Sequence, residues 1–346
     1  MICLLFILLM VLVAVFAYLL APDNTQNANQ GDLAIKSKPP GFEVLMLSIP
    51  IKNAPQTSFS DYFFGKKEQF HKIPILDYRL DDQKIYYILY NDEPEIKVEK
   101  EVLLSDFPDS KTIAEAAEKH IKAQKFLLGT DKSGRDYLSR MLIGSRISIS
   151  IGFVAVFISL VVGIFFGSIA GYYGGKIDAF IMWLINIVWS IPTLLLVIAI
   201  TLTLGKGFWQ VFMAVGLTMW VEVARVVRGQ IISIKQQQFI TAAKALGYSH
   251  FRILTKHILP LVVAPIIVIA AANFASAILV ESGLSFLGLG AQPPTPSWGG
   301  MIKDSYGDII LGKPYLAIIP GIAILLLTLS FMMVGNTLRD VLDVKN

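Results

Sequence analysis

Charge is scarce in this chain of 346 residues: Lys, Arg, Asp and Glu make up 16% of it, against about a quarter in an ordinary soluble domain. Cysteine is nearly absent. The single Cys3 excludes an internal disulfide and a thiolate metal cluster, so any part outside a membrane folds without staples. The four histidines (His71, His120, His250 and His257) lack metal-ligand spacing and read as surface or interface residues. A net charge of +4 is modest for this size and does not point to nucleic acid. There is no Gly-x-x-x-x-Gly-Lys-Ser/Thr phosphate loop; Gly174-Gly175-Lys176 and Gly205-Lys206-Gly207 lack its framing residues, so this chain is not a nucleotide engine. No intramembrane Ser/His/Asp set, His-Glu-x-x-His or carboxylate pair supports a membrane enzyme.

What the chain has in quantity is apolar sequence, 54% of its residues, gathered into long runs. A bilayer core of about 30 Å needs roughly 20 such residues per helix. Residues 2–20 carry no charge and read as a retained first helix rather than a signal peptide, for want of a basic leading segment. Further spans are expected at 147–171, 179–203, 208–227, 261–281 and 314–335, about six in all. The short links Tyr172–Asp178 and Leu204–Gly207 imply antiparallel neighbours. Gly163, Gly167, Ala170 and Gly171 suit close helix approach in lipid, as do Ala271, Ala272, Ala275 and Ala277. Pro192, Pro265 and Pro320 sit where they would kink a helix.

Residues 22–126 differ in kind. They hold much of the charge and alternate in Lys84–Tyr90 and in Glu95–Leu103, as strands do. A helix is expected over 110–125, with Thr112 and Glu115 as a capping box. The fold class is therefore an all-α membrane protein carrying a small mixed α/β insertion, divided into 1–21, 22–126 and 127–343.

Orientation rests on one segment. Arg225, Arg228, Lys235, Lys244, Arg252 and Lys256 lie in a stretch without acidic residues between 223 and 257, which the positive-inside rule places in the cytoplasm. Both termini then lie inside and 22–126 outside. Lys132, Arg135, Arg140 and Arg146, on the outer side, run against this count.

Within the basic segment, Phe239, Ala242, Ala243 and Leu246 fall on one helical face, Gly247 interrupts, and a second stripe follows at Phe251, Leu254 and Ile258. Two short amphipathic helices joined at a glycine suit either a membrane surface or a groove on a partner.

The order of residues in 237–260 resembles the cytoplasmic "EAA" loop of permeases of ATP-binding-cassette importers. Ala242, Ala243, Gly247, Leu259 and Pro260 match in register; Thr241 stands for the usual Glu and His257 for the commonest Ile. Leu128–Ser148, Gly171–Asp178, Ser190-Ile191-Pro192, Glu281–Gly290, Pro294–Gly299 and Leu338–Asp343 resemble the "C"-type subunit of dipeptide and oligopeptide importers in order and spacing. The resemblance covers about 127–343 and leaves 22–126 uncovered. It implies a type I importer permease fold, a second permease subunit, two cytoplasmic ATPases that carry ATP with magnesium, and an extracytoplasmic substrate-binding protein. It also implies a bacterial inner-membrane location. The ATPase-coupling loop is expected within 228–260, carried by Thr241, Ala242, Ala243, Leu246, Gly247, Arg252, His257, Leu259 and Pro260. Ala243, Leu246 and Gly247 are expected in the ATPase groove. Glu281, Asn273 and Ser276 are candidates for the pathway, with Asn186 beside them; Glu281 reads equally as an interfacial group. Trp298 reads as an interfacial anchor, and Arg135 and Asp136 as residues that order the segment before the second span. A permease for nickel or another small solute shares the same motifs. A membrane-anchored receptor that senses through 22–126 is the rival from another class.

Overall fold

A computed structural model describes residues 1–52, 54–92, 97–205 and 207–342. Glu95 and Ile96 of the expected second strand, Lys206, and the terminal Asp343 and Val344 lie outside the described residues.

The insertion is a five-stranded antiparallel sheet in the order β4-β3-β2-β1-β5. Its strands are β1 Phe42–Pro50, β2 Phe70–Leu80, β3 Lys84–Leu89, β4 Glu99–Leu103 and β5 Ile121–Phe126. Helix α2 (Ile113–His120; α1 is described below) covers one face of it, where Leu47, Ile75, Ile85, Phe107 and Ala116 form a buried core. Thr112 caps that helix by accepting from Glu115 N at 3.3 Å. The expected helix over 110–125 is thus half helix and half strand. Residues 121–126 pair with β1, from Leu47 opposite Ile121 to Phe42 opposite Phe126, and sheet pairing outweighs local helix preference there.

The rest is helical. α1 (Ile2–Val15) has 14 residues, about 21 Å at 1.5 Å each, and a further turn, Ala17–Leu20, extends it. α3 (Tyr137–Tyr173) is 37 residues long, ten residues longer at its start than the expected span. Asp136 caps it, accepting from Ser139 N at 2.8 Å, and Arg135 pairs with Asp131 at 2.6 Å, so these two residues do order the segment before the helix. α4 (Gly175–Ser190) and α5 (Thr193–Leu204) replace the single expected helix over 179–203 and meet at 93°. The break follows from Pro192, which has no N–H to donate and holds Ile191 in an extended conformation (φ −94°, ψ 128°). α6 (Phe208–Lys235), α7 (Gln238–Ala245), α8 (Leu259–Phe286), α9 (Trp298–Ile310) and α10 (Tyr315–Leu342) complete the chain. Pro265 and Pro320 lie inside α8 and α10 without interrupting them. By length and composition four helices are fit to cross a membrane, five if the bent α4–α5 pair is one span. The remaining expected span, over 2–20, is the shorter α1 and its added turn.

α3 sets the frame. Its first residues adjoin the 22–126 segment and α10, and its last adjoin the 237–258 loop: Asp23 N donates to Ser139 Oγ at 2.8 Å, Tyr137 donates its hydroxyl to Leu316 O, and at the other end Tyr172 meets His250. α6 packs along α3 in the same direction. A Cβ added at Gly163, Gly167 or Gly171 would come within 2.5 to 2.8 Å of Val223, Ala224 or Arg228, so the three glycines let the backbones touch. The short links do make successive segments antiparallel, yet the closest pairing is this parallel one between α3 and α6. Two neighbours that run the same way require a return crossing between them, and the bent α4–α5 pair supplies it. At the far end of α1, Cys3 Sγ lies 3.6 Å from Met333 Sδ of α10.

Candidate coupling loop and pathway residues

The loop is built as a brace and a tip. α7 turns Ile240 and Ala243 inward, where they join Val223, Val227, Ile231, Ile253, Ile258 and Val262 in one buried cluster. Leu246 ends the helix, and Gly247 follows at φ +77°, the left-handed region that favours glycine. A Cβ there would meet nothing within 4 Å, so the demand is on the backbone alone.

Ser249 then caps a turn over His250–Arg252, accepting from Arg252 N at 3.3 Å. Residues 253–258 form a π-helical turn that runs straight into α8. Pro260 stands at the start of α8, and the widened turn before it accommodates a ring that would otherwise meet the carbonyl four residues back. The second amphipathic helix expected at 251–258 is therefore the first part of one continuous 37-residue helical segment, His250–Phe286.

Three contacts hold the loop to its neighbours. The Tyr172 hydroxyl lies 2.8 Å from His250 Nδ1, and Lys235 Nζ donates to Tyr172 O. Arg228 grips Asp178 with two bonds of 2.5 and 2.6 Å, tying α6 to the start of α4. Tyr248 carries the Arg252 guanidinium at 4.3 Å and stacks with His257 at 5.6 Å.

The expected single face over 239–246 is split. Ala243 is only 5% exposed and faces its own chain, which takes it out of any groove on a partner. Phe239, Ala242, Leu246 and Phe251 are exposed instead, Leu246 and Phe251 to more than 70%. Thr241, Lys244, Arg252 and Lys256 are exposed around them; Leu259 is half-buried, and Pro260 is open.

The other sequence candidates scatter. Glu281 is fully buried within the chain; Ser285 donates to its Oε1 at 2.6 Å, and its Oε2 has no partner among the described residues. Asn273 is 1% exposed. Neither faces open space in this conformation. Trp298, expected at an interface, is 1% exposed and donates its indole N–H to Met141 O at 3.0 Å, locking the 294–299 segment onto α3. Ser276 lines a cavity of about 180 Å³ with Trp189, Thr193, Thr218 and Glu222. Asn186 accepts from Arg225 at 2.7 Å. Sequence reasoning passed over Glu222, although one acid inside the 208–227 run was its signal. It also missed the Tyr172–His250 and Asp178–Arg228 ties, whose partners lie far apart in the chain.

The architecture is a helical membrane body whose basic loop continues into a helix long and apolar enough to span. The chain belongs to the binding-protein-dependent transport system inner membrane components, whose family model matches residues 163–345. It is 44% identical over 217 residues to the dipeptide transport system permease protein DppC of Alkalihalophilus pseudofirmus, covering 63% of this chain and 71% of that one. It is 42% identical over 217 residues to the glutathione transport system permease protein GsiD of Escherichia coli, with the same two coverages. Against the oligopeptide transport system permease protein OppC of Haemophilus influenzae it is 40% identical over 218 residues, 63% of this chain and 70% of that one. The family model does not reach the 22–126 insertion.

Proposed function

We propose that this chain is one of two permease subunits of an ATP-driven peptide importer, working with two cytoplasmic ATPases and an extracytoplasmic binding protein. ATP and magnesium belong to the ATPases. The observation that carries this reading is the tip of the loop: an exposed apolar patch (Phe239, Ala242, Leu246, Phe251) ringed by Lys244, Arg252 and Lys256, on a loop whose opposite face is buried in its own chain. Such a patch suits a groove on a partner protein. Since 250–286 is one helical segment, ATP-driven closure of the partners would tilt α8 directly, and alternating access follows if the two tilts are discrete packed states. Peptides are the favoured cargo because the relatives at 40–44% identity are named for dipeptide, glutathione and oligopeptide transport.

The loop and both termini face the cytoplasm of a bacterial inner membrane in this reading, and the sheet faces outward. The basic residues that argue against it are held by local partners, and two carboxylates offset their charge in part. Lys132 meets Asp304 at 2.8 Å, Arg135 and Arg140 share Asp131, and Arg146 donates to Phe63 O. The loop's Lys244, Arg252 and Lys256 have no acidic partner among the described residues.

The test is purification of the tagged chain in mild detergent with mass spectrometry of its companions, followed by ATP-dependent uptake in proteoliposomes. A second permease and phosphate-loop ATPases should accompany it. Recovery of the chain alone, even after crosslinking through 239–258, would sink the reading.

A further inference from the structure

Helix α6 exposes a carboxylate at membrane depth. Twenty residues separate Phe208 from Arg228, about 30 Å of helix at 1.5 Å per residue, which is the thickness of a bilayer core. Glu222 lies within that stretch, six residues or about 9 Å of helix from Arg228, which pairs with Asp178 toward the loop side. It is exposed, and among the described residues it has neither an ion pair nor a hydrogen bond. A bare carboxylate facing lipid is costly, and ionisable residues at this depth face water or a functional partner.

Its surroundings mix polar side chains with aliphatic ones, among them Leu196, Met219 and Val280. Glu222 lines the cavity of about 180 Å³ that also contains Thr193, Thr218, Ser276 and Trp189. The α4–α5 break at Ile191–Pro192 opens onto it, since Val188, Trp189 and Thr193 line the same wall. Interrupted backbone at membrane depth is tolerated where it is buried in protein or lines a watered cavity, and broken helices are where transporters hold their cargo. The hydroxyls of Thr193 and Ser276 make no hydrogen bond among the described residues; that of Thr218 is engaged with Val215 O. One turn along α6, Arg225 makes no ion pair with the acid among the described residues; it donates to Asn186 and lies 3.6 Å over the Trp189 ring. The site therefore presents one unpaired negative charge and two free hydroxyls to the cavity. That set fits a primary ammonium, which has three donors and no acceptor.

We propose that Glu222, aided by Thr193 and Ser276, is a membrane-depth station for the cationic amino group of the transported substrate. The proposal rests on the importer reading, and it names the substrate feature read inside the membrane: a free amine.

The test uses the complete importer in proteoliposomes at saturating binding protein, with a dipeptide bearing a free amino terminus and its N-acetylated counterpart. Glu222→Gln should cut maximal uptake of the free-amine dipeptide by about tenfold to a hundredfold, the worth of a hydrogen bond to a charged group. Glu222→Asp should keep most of the rate, and uptake of the acetylated peptide should be alike in wild type and Glu222→Gln. Unchanged uptake of the free-amine dipeptide in Glu222→Gln overturns the proposal. So does equal loss of both peptides, or loss of the second permease from the purified Glu222→Gln complex, which would make Glu222 a subunit contact. Absence of ATP-dependent uptake by the wild-type complex would instead count against the importer reading itself.

Discussion

The hydroxyl of Tyr172, at the end of α3, lies 2.8 Å from Nδ1 of His250, in the second half of the 237–258 loop. With Lys235 bonded to Tyr172 O, this one residue ties the loop to two membrane helices. A neutral hydrogen bond contributes about 1 kcal/mol net. Tyr172→Phe should therefore raise amide hydrogen exchange across 239–258 by up to about tenfold while leaving the sheet unchanged. Equal exchange in both regions would show that the tie does not hold the loop.

The two faces of α7 should respond differently to a charge. Leu246→Asp, on the exposed face, should leave the chain folded and inserted but strip the ATPase during purification. Ala243→Asp puts an unpaired charge into the buried cluster with Ile240 and Val223 and should destabilise the chain itself. Thermal unfolding in detergent, beside co-purification, separates the two effects.

Gly247 is conformational in its demand. Any L residue at φ +77° is strained by about 1–2 kcal/mol, and a β-branched one suffers most. Gly247→Val should abolish transport with the protein still inserted, whereas Gly247→Asn should retain a large part of it, because Asn visits this region more readily. Normal uptake by the Val variant would refute a role for the turn.

Trp298 belongs to the core. Trp298→Ala should cost about 3–5 kcal/mol through lost packing, read as a lowered unfolding temperature of the detergent-solubilised chain. Trp298→Phe gives up the bond to Met141 O but keeps most of the packing, so its cost should be much smaller.

In the insertion, the His120 imidazole hydrogen-bonded to Asp109 holds that carboxyl below its usual range. A depressed carboxyl contributes stability above its unfolded pKa of about 4, and that contribution is lost as pH falls further. Protease resistance of the 42–126 sheet should therefore decline on acidification below about pH 4. Asp109→Asn should flatten the decline, and an unaltered acid profile in that variant would exclude this pair as its cause. The effect is modest because Asp109 is half exposed.

The sequence alone determined the membrane body, the loop, the glycine turn and the presence of a strand-rich insertion. Each of these is local: a run long enough for a bilayer, a residue at a helix end, an alternation. Tertiary structure decided which way the elements face. The apolar residues of α7 belong to two surfaces, Ile240 and Ala243 inward and Phe239 and Leu246 outward, and periodicity cannot sort them until Val223 and Ile258 claim one side. The parallel packing of α3 on α6 needed the α4–α5 crossing to bring Gly163 against Val223. Residues 121–126 became a strand because β1 lay beside them. Trp298 went inside and Glu222 stayed out for the same reason: burial is a property of the neighbours, and those neighbours are distant in the chain.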